Sequence, residues 1–378
     1  MKHLSKPKVC IIHNIISPYR LSLFEELNKN VDLTIIFCKD ITKDRVWNFN
    51  LRQYTFKYKI LKGFSIGPII INFNIFLELI KTKFDIVIIN SDPDVAFSNL
   101  IILIFAKVYR KKIILWSETI NNEVYFFPKL IIYNNLFTKL ILQFLKFTIN
   151  KYRLIYFKQS DHFLAFSDKA KDFLISNNIN AKNITRTYEI MPLDQLVKTK
   201  KIHIRNGKTF LYVGYLIYRK NIDLLINSFK KIKDDDARLF IVGTGPLENK
   251  LKILSKDDKR IIFFGNKEGI EKANLYMSAD ILVLPSIDDS WGLVVNEAIH
   301  YGLAVIVSDI IGATELINKN VGRIFQSNNL DQLYSHMSYL INHQDKLQYI
   351  QKNNLNNNLV SDVKKASDGF LAAIYKVL

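Results

Sequence analysis

Apolar residues along this chain fall into short continuous runs, separated by stretches of helical period. Lys8 to His13 (KVCIIH), Val31 to Cys38, Asp85 to Asn90 (DIVIIN) and Lys112 to Trp116 (KIILW) are four such runs in the first half. Runs of about four to eight residues, apolar on both faces, suit a parallel sheet covered by helices. Between them the spacing predicts helices over about 20–28, 73–82 and 94–109, and Tyr54 to Ile60 alternates like a strand. His162 to Phe166 reads as a strand, Ser167-Asp168 as a helix cap, and Thr185 to Ile190 as a short strand. Residues 191–207 (MPLDQLVKTKKIHIRNG) are polar and basic without helical period, and they read as a linker. A second series follows, with strands at Lys208 to Val213, Ala237 to Val242, Arg260 to Phe264 and Val321 to Phe325. Helices are predicted at Asn221 to Ile232, Leu247 to Ser255 and Glu268 to Ser278, and near 330–342, 345–357 and 362–376. Repeated strand–helix alternation predicts βαβ units and an α/β chain.

The densest stretch runs from Asp280 to Asp309. Ile281 to Leu284 reads as a buried strand, which Pro285 stops. A polar loop, Ser286 to Ser290, leads to Gly292 and a short helix with apolar residues at 293, 294, 295, 298 and 299. Ala304 to Val307 is the next strand. This places a loop and a helix N-terminus at the carboxyl end of a sheet, where open α/β folds bind ligands and anions are favoured. Asp289 in the loop and Glu297 in the helix lie eight positions apart. They could hydrogen-bond hydroxyls on either side of a bound phosphate.

At 378 residues the chain is long for one core, so two domains are expected: 1–190 and 208–360, with 361–378 as a helix that can return to the first. Its 49% hydrophobic and 23% charged composition is that of a globular protein. The formal charge is +18, and 28 Lys and Arg against 15 Asp and Glu place most of the surplus in residues 1–190. Such an excess suits a polyanionic surface, but no recognition motif accompanies it, so nucleic acid is not an expected partner. Cys10 and Cys38 sit inside apolar runs and read as buried thiols rather than a disulfide or metal site. The seven histidines are scattered. Asp92-Pro93-Asp94 reads as a helix start and Asp234 to Asp236 as a solvated turn, so no metal is expected.

Residues 129–158 alternate large apolar and aromatic residues with cations and hold no Asp or Glu. They read either as a core helix pair with snorkelling lysines or as an interfacial element on an anionic membrane. The longest run without Asp, Glu, Lys or Arg, Gly63 to Leu77, is 15 residues, shorter than a membrane-spanning helix needs. With no signal-peptide pattern, the expected location is cytoplasmic, peripheral on the inner face of the plasma membrane.

Two doubly wound halves, a central linker and the string DSWGLVVNEAIHYGLAVIVSD resemble GT-B glycosyltransferases, and among them the retaining, nucleotide-sugar-dependent family 4 group. The resemblance is specific over 208–325 and looser in the first half, through SPYRLSLFEEL. It implies two Rossmann-like domains facing a central cleft, with the donor in the second and the acceptor in the first. It implies that Glu297 holds the donor ribose and that Asp289, where the family usually has Glu, contacts the sugar, with Asp288 able to share that role. A helix N-cap pair is the bland alternative for Asp289 and Ser290. The segment VGYLIYRKN matches the family's diphosphate-binding turn at Gly214 and Lys220. Tyr215 stands where the family has Arg, and Arg219 is the candidate replacement. The turns at Gly243, Gly245, Gly265 and Asn266 are implied to flank the base. Ser290, Trp291, Gly292, Leu293 and Gly312 are implied to line the donor, with Glu315 capping or supporting the turn at Gly312. Ser17, Tyr19 and Arg20 form the implied phosphate or acceptor loop, Arg20 being otherwise an exposed helix start. Glu118 is the candidate near the transferred sugar. His13 reads as a satisfied core histidine.

The resemblance therefore implies metal-independent glycosyl transfer with retention, by attack from the leaving-group side. The donor is a nucleotide diphosphate sugar, no cofactor is needed, and the acceptor is a saccharide, lipid-linked, of surface polysaccharide or lipopolysaccharide assembly. Two other readings stay open from residues alone: a sugar-nucleotide epimerase of similar architecture, and a nucleotide-binding relative without catalysis.

Overall fold

A computed structural model of the chain describes residues 6–40, 50–66, 69–90, 92–121, 136–189, 191, 196–197, 207–356 and 362–378. Most of the 191–207 linker and positions 129–135 lie outside them. The chain divides into two compact units, Met1–Ile190 with Asp362–Leu378, and Met191–Ser361.

The first unit holds β1 (Lys8–Ile15), α1 (Pro18–Asn28), β2 (Asp32–Lys39), β3 (Lys57–Ile60), β4 (Phe64–Ile66), β5 (Ile69–Ile71), α2 (Ile75–Lys81), β6 (Ile86–Asn90), α3 (Ala96–Val108), β7 (Lys112–Ser117), α4 (Leu136–Gln159), β8 (His162–Ala165), α5 (Asp168–Ser176) and β9 (Ile184–Arg186). Seven strands form a parallel sheet in the order β3-β2-β1-β6-β7-β8-β9. Alternation along β1 explains the two layers. Cys10 and Ile12 point to a core shared with α2, α3, α4 and α5, whereas Val9 and Ile11 point to one shared with α1 and the C-terminal helix.

The second unit holds β10 (Thr209–Val213), α6 (Ile222–Lys230), β11 (Arg238–Val242), α7 (Glu248–Ser255), β12 (Ile261–Gly265), α8 (Gly269–Met277), β13 (Ile281–Leu284), α9 (Leu293–His300), β14 (Ala304–Ser308), β15 (Gly322–Phe325), α10 (Leu330–Asn342) and α11 (Gln344–Leu355). Its parallel sheet has the order β12-β11-β10-β13-β14-β15. α12 (Val363–Val377) belongs to the first unit, where the Thr187 hydroxyl donates to the Ala366 carbonyl at 2.9 Å. Both sheets reverse strand order once, between β1 and β6 and between β10 and β13. At such a switch point the two flanking loops diverge and leave a crevice at the strand carboxyl ends.

Several sequence expectations change. Phe64–Ile66 and Ile69–Ile71 pair antiparallel as β4 and β5, in a region where the sequence pattern is mixed. The alternating stretch from Tyr54 is a strand only from Lys57, after a 3₁₀ turn at Leu51–Gln53. Among the described residues, the basic aromatic stretch is one 24-residue helix, α4, and not a helix pair. Cys10 and Cys38 are both free and buried.

Candidate active site

The second unit assembles its polar groups at the carboxyl ends of β10, β11 and β13. The loop after β10 begins at Gly214 and turns through Tyr218–Lys220 before α6. The turn after β11 packs on it, since the Leu216 N–H donates to the Thr244 carbonyl at 2.9 Å and the Leu247 N–H to the Leu216 carbonyl at 3.0 Å. Gly243 has φ +133°, and a Cβ there would meet the Gly214 carbonyl oxygen at 1.9 Å, so only glycine fits between the loops. The same turn reaches β12, where the Gly243 N–H donates to the Gly265 carbonyl at 2.7 Å. Gly245 and Asn266 flank this junction in sequence.

The loop after β13 carries Asp288 to Gly292, and it is fastened to the first loop. The Ile287 N–H donates to the Arg219 carbonyl at 2.9 Å, and the Arg219 guanidinium returns a bond to the Asp288 carbonyl at 2.9 Å. Beside this strap the Lys220 ammonium is hydrogen-bonded to the Asp289 carboxylate. Burial alone would raise the Asp289 pKa, but Lys220, Arg219 and the Trp291 N–H hold it below the usual carboxylate range. Burial, with Arg219 adding to it, pulls Lys220 below an ordinary lysine against the opposing pull of Asp289. Tyr212, buried beneath, donates its hydroxyl to the Tyr215 carbonyl at 3.0 Å. Arg219 thus stands in the site beside Lys220, and Tyr215 itself is exposed.

Helix α9 starts at Gly292, the N-cap residue, with φ +98°. Asp289 and Ser290 lie before the cap. The bland reading of these two as an N-cap pair is therefore replaced, because the Asp289 carboxylate is engaged by Lys220 instead. Trp291 is buried and donates its indole N–H to Asn296 at 2.8 Å. The Gly312 N–H donates to the Asp289 carbonyl at 3.3 Å and the Ala313 N–H to the Trp291 carbonyl at 2.9 Å, which fixes the loop from its far side. Leu293 opens the helix and Glu297 follows one turn later. Its two carboxylate oxygens accept from Lys272 at 2.8 Å and from the Tyr276 hydroxyl at 2.6 Å. Both donors come from one face of α8, at i and i+4. Sequence reading missed them, because nothing in α8 marks that face as pointing at a carboxylate in α9. The signal was available only as a buried Tyr one turn after a Lys.

The first unit gathers a different cluster, at the ends of β1, β6 and β7. Ser17 is the N-cap position of α1, Pro18 and Tyr19 follow, and Arg20 completes the first turn. Arg20 is 6% exposed, which overturns its alternative reading as an exposed helix start. Its guanidinium donates to His13 Nε2 at 2.7 Å and to Glu118, and lies 4.4 Å over the Trp116 ring. His13 is held from its other side by the Ile15 carbonyl at 2.7 Å, so Nδ1 carries the proton and Nε2 accepts. A second carboxylate, Glu189, stands 3.7 Å from the same guanidinium. Burial pushes Glu189 up to about 8; Arg20 opposes the shift and Glu118 adds to it. One cation serves two carboxylates, and Glu118 has the shorter bond, so Glu189 keeps its proton near neutrality. Asp92 and Asp94 approach from β6, where Asn90 donates to Asp92 at 2.8 Å and Asn14 to Asp94 at 3.0 Å. Pro93–Val95 is a 3₁₀ turn leading into α3.

The raised Glu189 pKa has a sign that can be tested. A carboxyl whose folded pKa lies above its unfolded value favours the folded state below the unfolded pKa. That contribution fades as pH rises towards about 8. Glu189→Gln is expected to remove a loss of stability as pH rises from about 4.5 towards about 8. Denaturant unfolding of wild type and variant across that range measures it.

Among the described residues no group of three or more His, Cys, Asp or Glu could hold a metal ion, and no helix is long and apolar enough to cross a membrane.

Residues 195–357 match the family model described as Glycosyl transferases group 1. An uncharacterized glycosyltransferase of Methanocaldococcus jannaschii is 26% identical over 355 residues, covering 81% of this chain and 84% of that protein. The UDP-Gal:alpha-D-GlcNAc-diphosphoundecaprenol alpha-1,3-galactosyltransferase of Escherichia coli is 31% identical over 166 residues, 42% of either chain. Some curated relatives are thus matched over less than half their length, and the one at 35% identity over only 31% of it. Among solved structures, the apo lipopolysaccharide outer core galactosyltransferase WaaB superposes with a TM-score of 0.69 at 19% identity, over 98% of this chain and all of that one. Two parallel α/β sheets, each reversing once, are the architecture of that neighbour's fold class. Fold and matched domain agree: the chain has a two-sheet GT-B fold, and its residues 195–357 carry a domain of the Glycosyl transferases group 1 family.

Proposed function

We propose that the chain moves a sugar from a nucleotide diphosphate sugar, with retention at the anomeric carbon, to a lipid-linked saccharide. The acceptor is presented at an anionic membrane surface on the cytoplasmic side, in cell-surface polysaccharide or lipopolysaccharide assembly. The observation that carries the reading is the Lys220–Asp289 pair at the β10–β13 switch point, with Glu297 held ready in the helix that follows. The galactosyltransferase activities by which the Escherichia coli relative and WaaB are named support the donor class and the saccharide acceptor. So does the family 4 likeness of the DSWGLVVNEA string.

In this reading each oxygen of Glu297 already accepts one protein donor and has room for a ribose hydroxyl. The Lys220 ammonium gives one of its three hydrogens to Asp289 and keeps two for the diphosphate. Arg219 adds a second cation, and the α9 N-terminus a partial positive charge, where negative charge develops on the leaving group. Gly214 lets backbone approach the diphosphate and the turn at Gly312 lies near it, while the turns at Gly243, Gly245, Gly265 and Asn266 flank the base. Asp289 orients the sugar hydroxyls. The acceptor oxygen forms its bond to the anomeric carbon on the side the diphosphate leaves, and its proton passes to the departing phosphate oxygen. In the first unit Ser17, Tyr19 and Arg20 shape the acceptor loop, and Arg20 orients Glu118 towards an acceptor hydroxyl.

Incubation with a panel of UDP-, GDP- and ADP-linked sugars tests the reading. Slow release of nucleotide diphosphate without acceptor, accelerated by extracted lipid-linked saccharide, is the expected result. Isomerised sugar without nucleotide release would identify an epimerase, and tight binding without turnover a non-catalytic relative.

A further inference from the structure

Helices α2, α3 and α4 cover one face of the first sheet, and each turns apolar side chains outward as well as inward. α3 buries Ile102, Phe105 and Ala106 against the sheet. Its opposite side carries Leu100, Ile104 and Val108 on one stripe, with Ile104 57% and Val108 68% exposed. A helix that is apolar all round is normally enclosed on both sides. α2 repeats the pattern: Ile75 and Leu79 are buried, Leu77 and Ile80 are exposed, and Phe73 just before it is 66% exposed. Aromatic contacts join the two helices into one surface. Phe73 lies 5.6 Å from Phe97, and Phe76 lies 5.9 Å from Phe105. α4 meets α3 at the start of that helix, where the Tyr156 hydroxyl donates to the Ala96 carbonyl at 3.2 Å. It exposes Leu140, Phe144 and Phe147.

Soluble monomers rarely leave so broad an apolar face in water. Its border decides what covers it. Lys81, Lys83, Lys107 and Arg110 stand exposed at the ends of α2 and α3. α4 adds Lys139, Lys146, Lys151 and Lys158, and contains no Asp or Glu. The acid on α2, Glu78, is already paired with Lys59 and Lys81. A second copy would set the same cations against these, and a formal charge of +18 opposes self-association. Anionic headgroups bring the opposite sign, and acyl chains take the apolar stripe.

We infer that the α2–α3–α4 face of the first unit is a bilayer-contact surface for anionic lipid. Phe73, Leu77, Ile104, Val108 and Phe144 enter the interface, and the bordering cations lie in the headgroup layer. The inference rests on the membrane-presented acceptor of the proposed function, and it names the surface that meets that membrane.

Co-sedimentation of the full chain with phosphatidylcholine vesicles, with and without phosphatidylglycerol, tests it. The chain is expected to bind the anionic vesicles. Phe73→Ser/Ile104→Ser/Val108→Ser should weaken that binding by at least about tenfold, with unfolding temperature and nucleotide-sugar cleavage unchanged. Lys107→Glu/Arg110→Glu should remove the salt-sensitive part. No vesicle binding by the wild type, or equal binding by the triple variant, overturns the surface. So does a wild-type dimer that the triple variant converts to monomer without changing vesicle binding. Absent vesicle binding with nucleotide-sugar cleavage intact sinks the surface alone. Intact vesicle binding, lost in the triple variant, with no nucleotide sugar bound or cleaved upholds the surface and sinks the donor reading.

Discussion

Lys220→Ala is expected to lower kcat by about a thousandfold, the scale of losing a buried group that stabilises developing charge. The variant also leaves the buried Asp289 carboxylate without its ammonium partner. Breaking one side of a buried ion pair costs about 3–5 kcal/mol, because the remaining charge is uncompensated. Two effects are thus mixed in one substitution, and the double variant Lys220→Ala/Asp289→Asn separates them. It removes both charges and should recover most of the stability, measured by denaturant unfolding, while turnover stays low. Recovery of turnover along with stability would mean that the pair only holds the two loops together. Arg219 keeps its charge in the site, but its bond to the Asp288 carbonyl ties it to the loop, so it does not replace the Lys220 ammonium on the Asp289 carboxylate.

Glu297→Ala is expected to weaken donor affinity on the order of a hundredfold, about 2.7 kcal/mol, the loss of charge-assisted hydrogen bonds to the ribose. Isothermal titration with the nucleotide diphosphate reads it directly. Glu297→Gln keeps an acceptor for the Tyr276 hydroxyl and should lose less. Tyr276→Phe removes only the orienting donor, so KM should rise several-fold with kcat unchanged. An unchanged donor affinity in Glu297→Ala would place the ribose elsewhere and leave this carboxylate as a strut between α8 and α9.

Legibility differed by element for physical reasons. β6, β10, β13 and β14 stand out as apolar runs, because a strand buried on both faces needs no polar position. β4 and β5 do not stand out. They pair only with each other, and Gly67-Pro68 between them reads as a loop on any template. α3 was legible as a helix but its exposed apolar stripe was not, and for 129–158 the choice between a core helix pair and an interfacial element stayed open, since periodicity reports that a helix has an apolar side without saying which sides are covered. At the candidate site, Asp289 and Glu297 were visible because one strand–loop–helix fixes their spacing. Lys272, Tyr276 and Glu189 were not, because each meets its partner through folding of a separate element.

The sequence by itself determined two successive strand–helix series and the Asp280–Asp309 segment that sets Asp289 before a helix and Glu297 within it. Local periodicity and glycine placement are properties of neighbouring residues, so they survive without a fold. Only the tertiary structure decided partners. Lys220 meets Asp289 across 69 positions, and Arg20 meets Glu118 across 98. Each pair bridges the point where strand order reverses, where β10 has β11 on one edge and β13 on the other. Burial then set the chemistry, because removing water is what turns each pair from a weak surface contact into a strong, obligatory one.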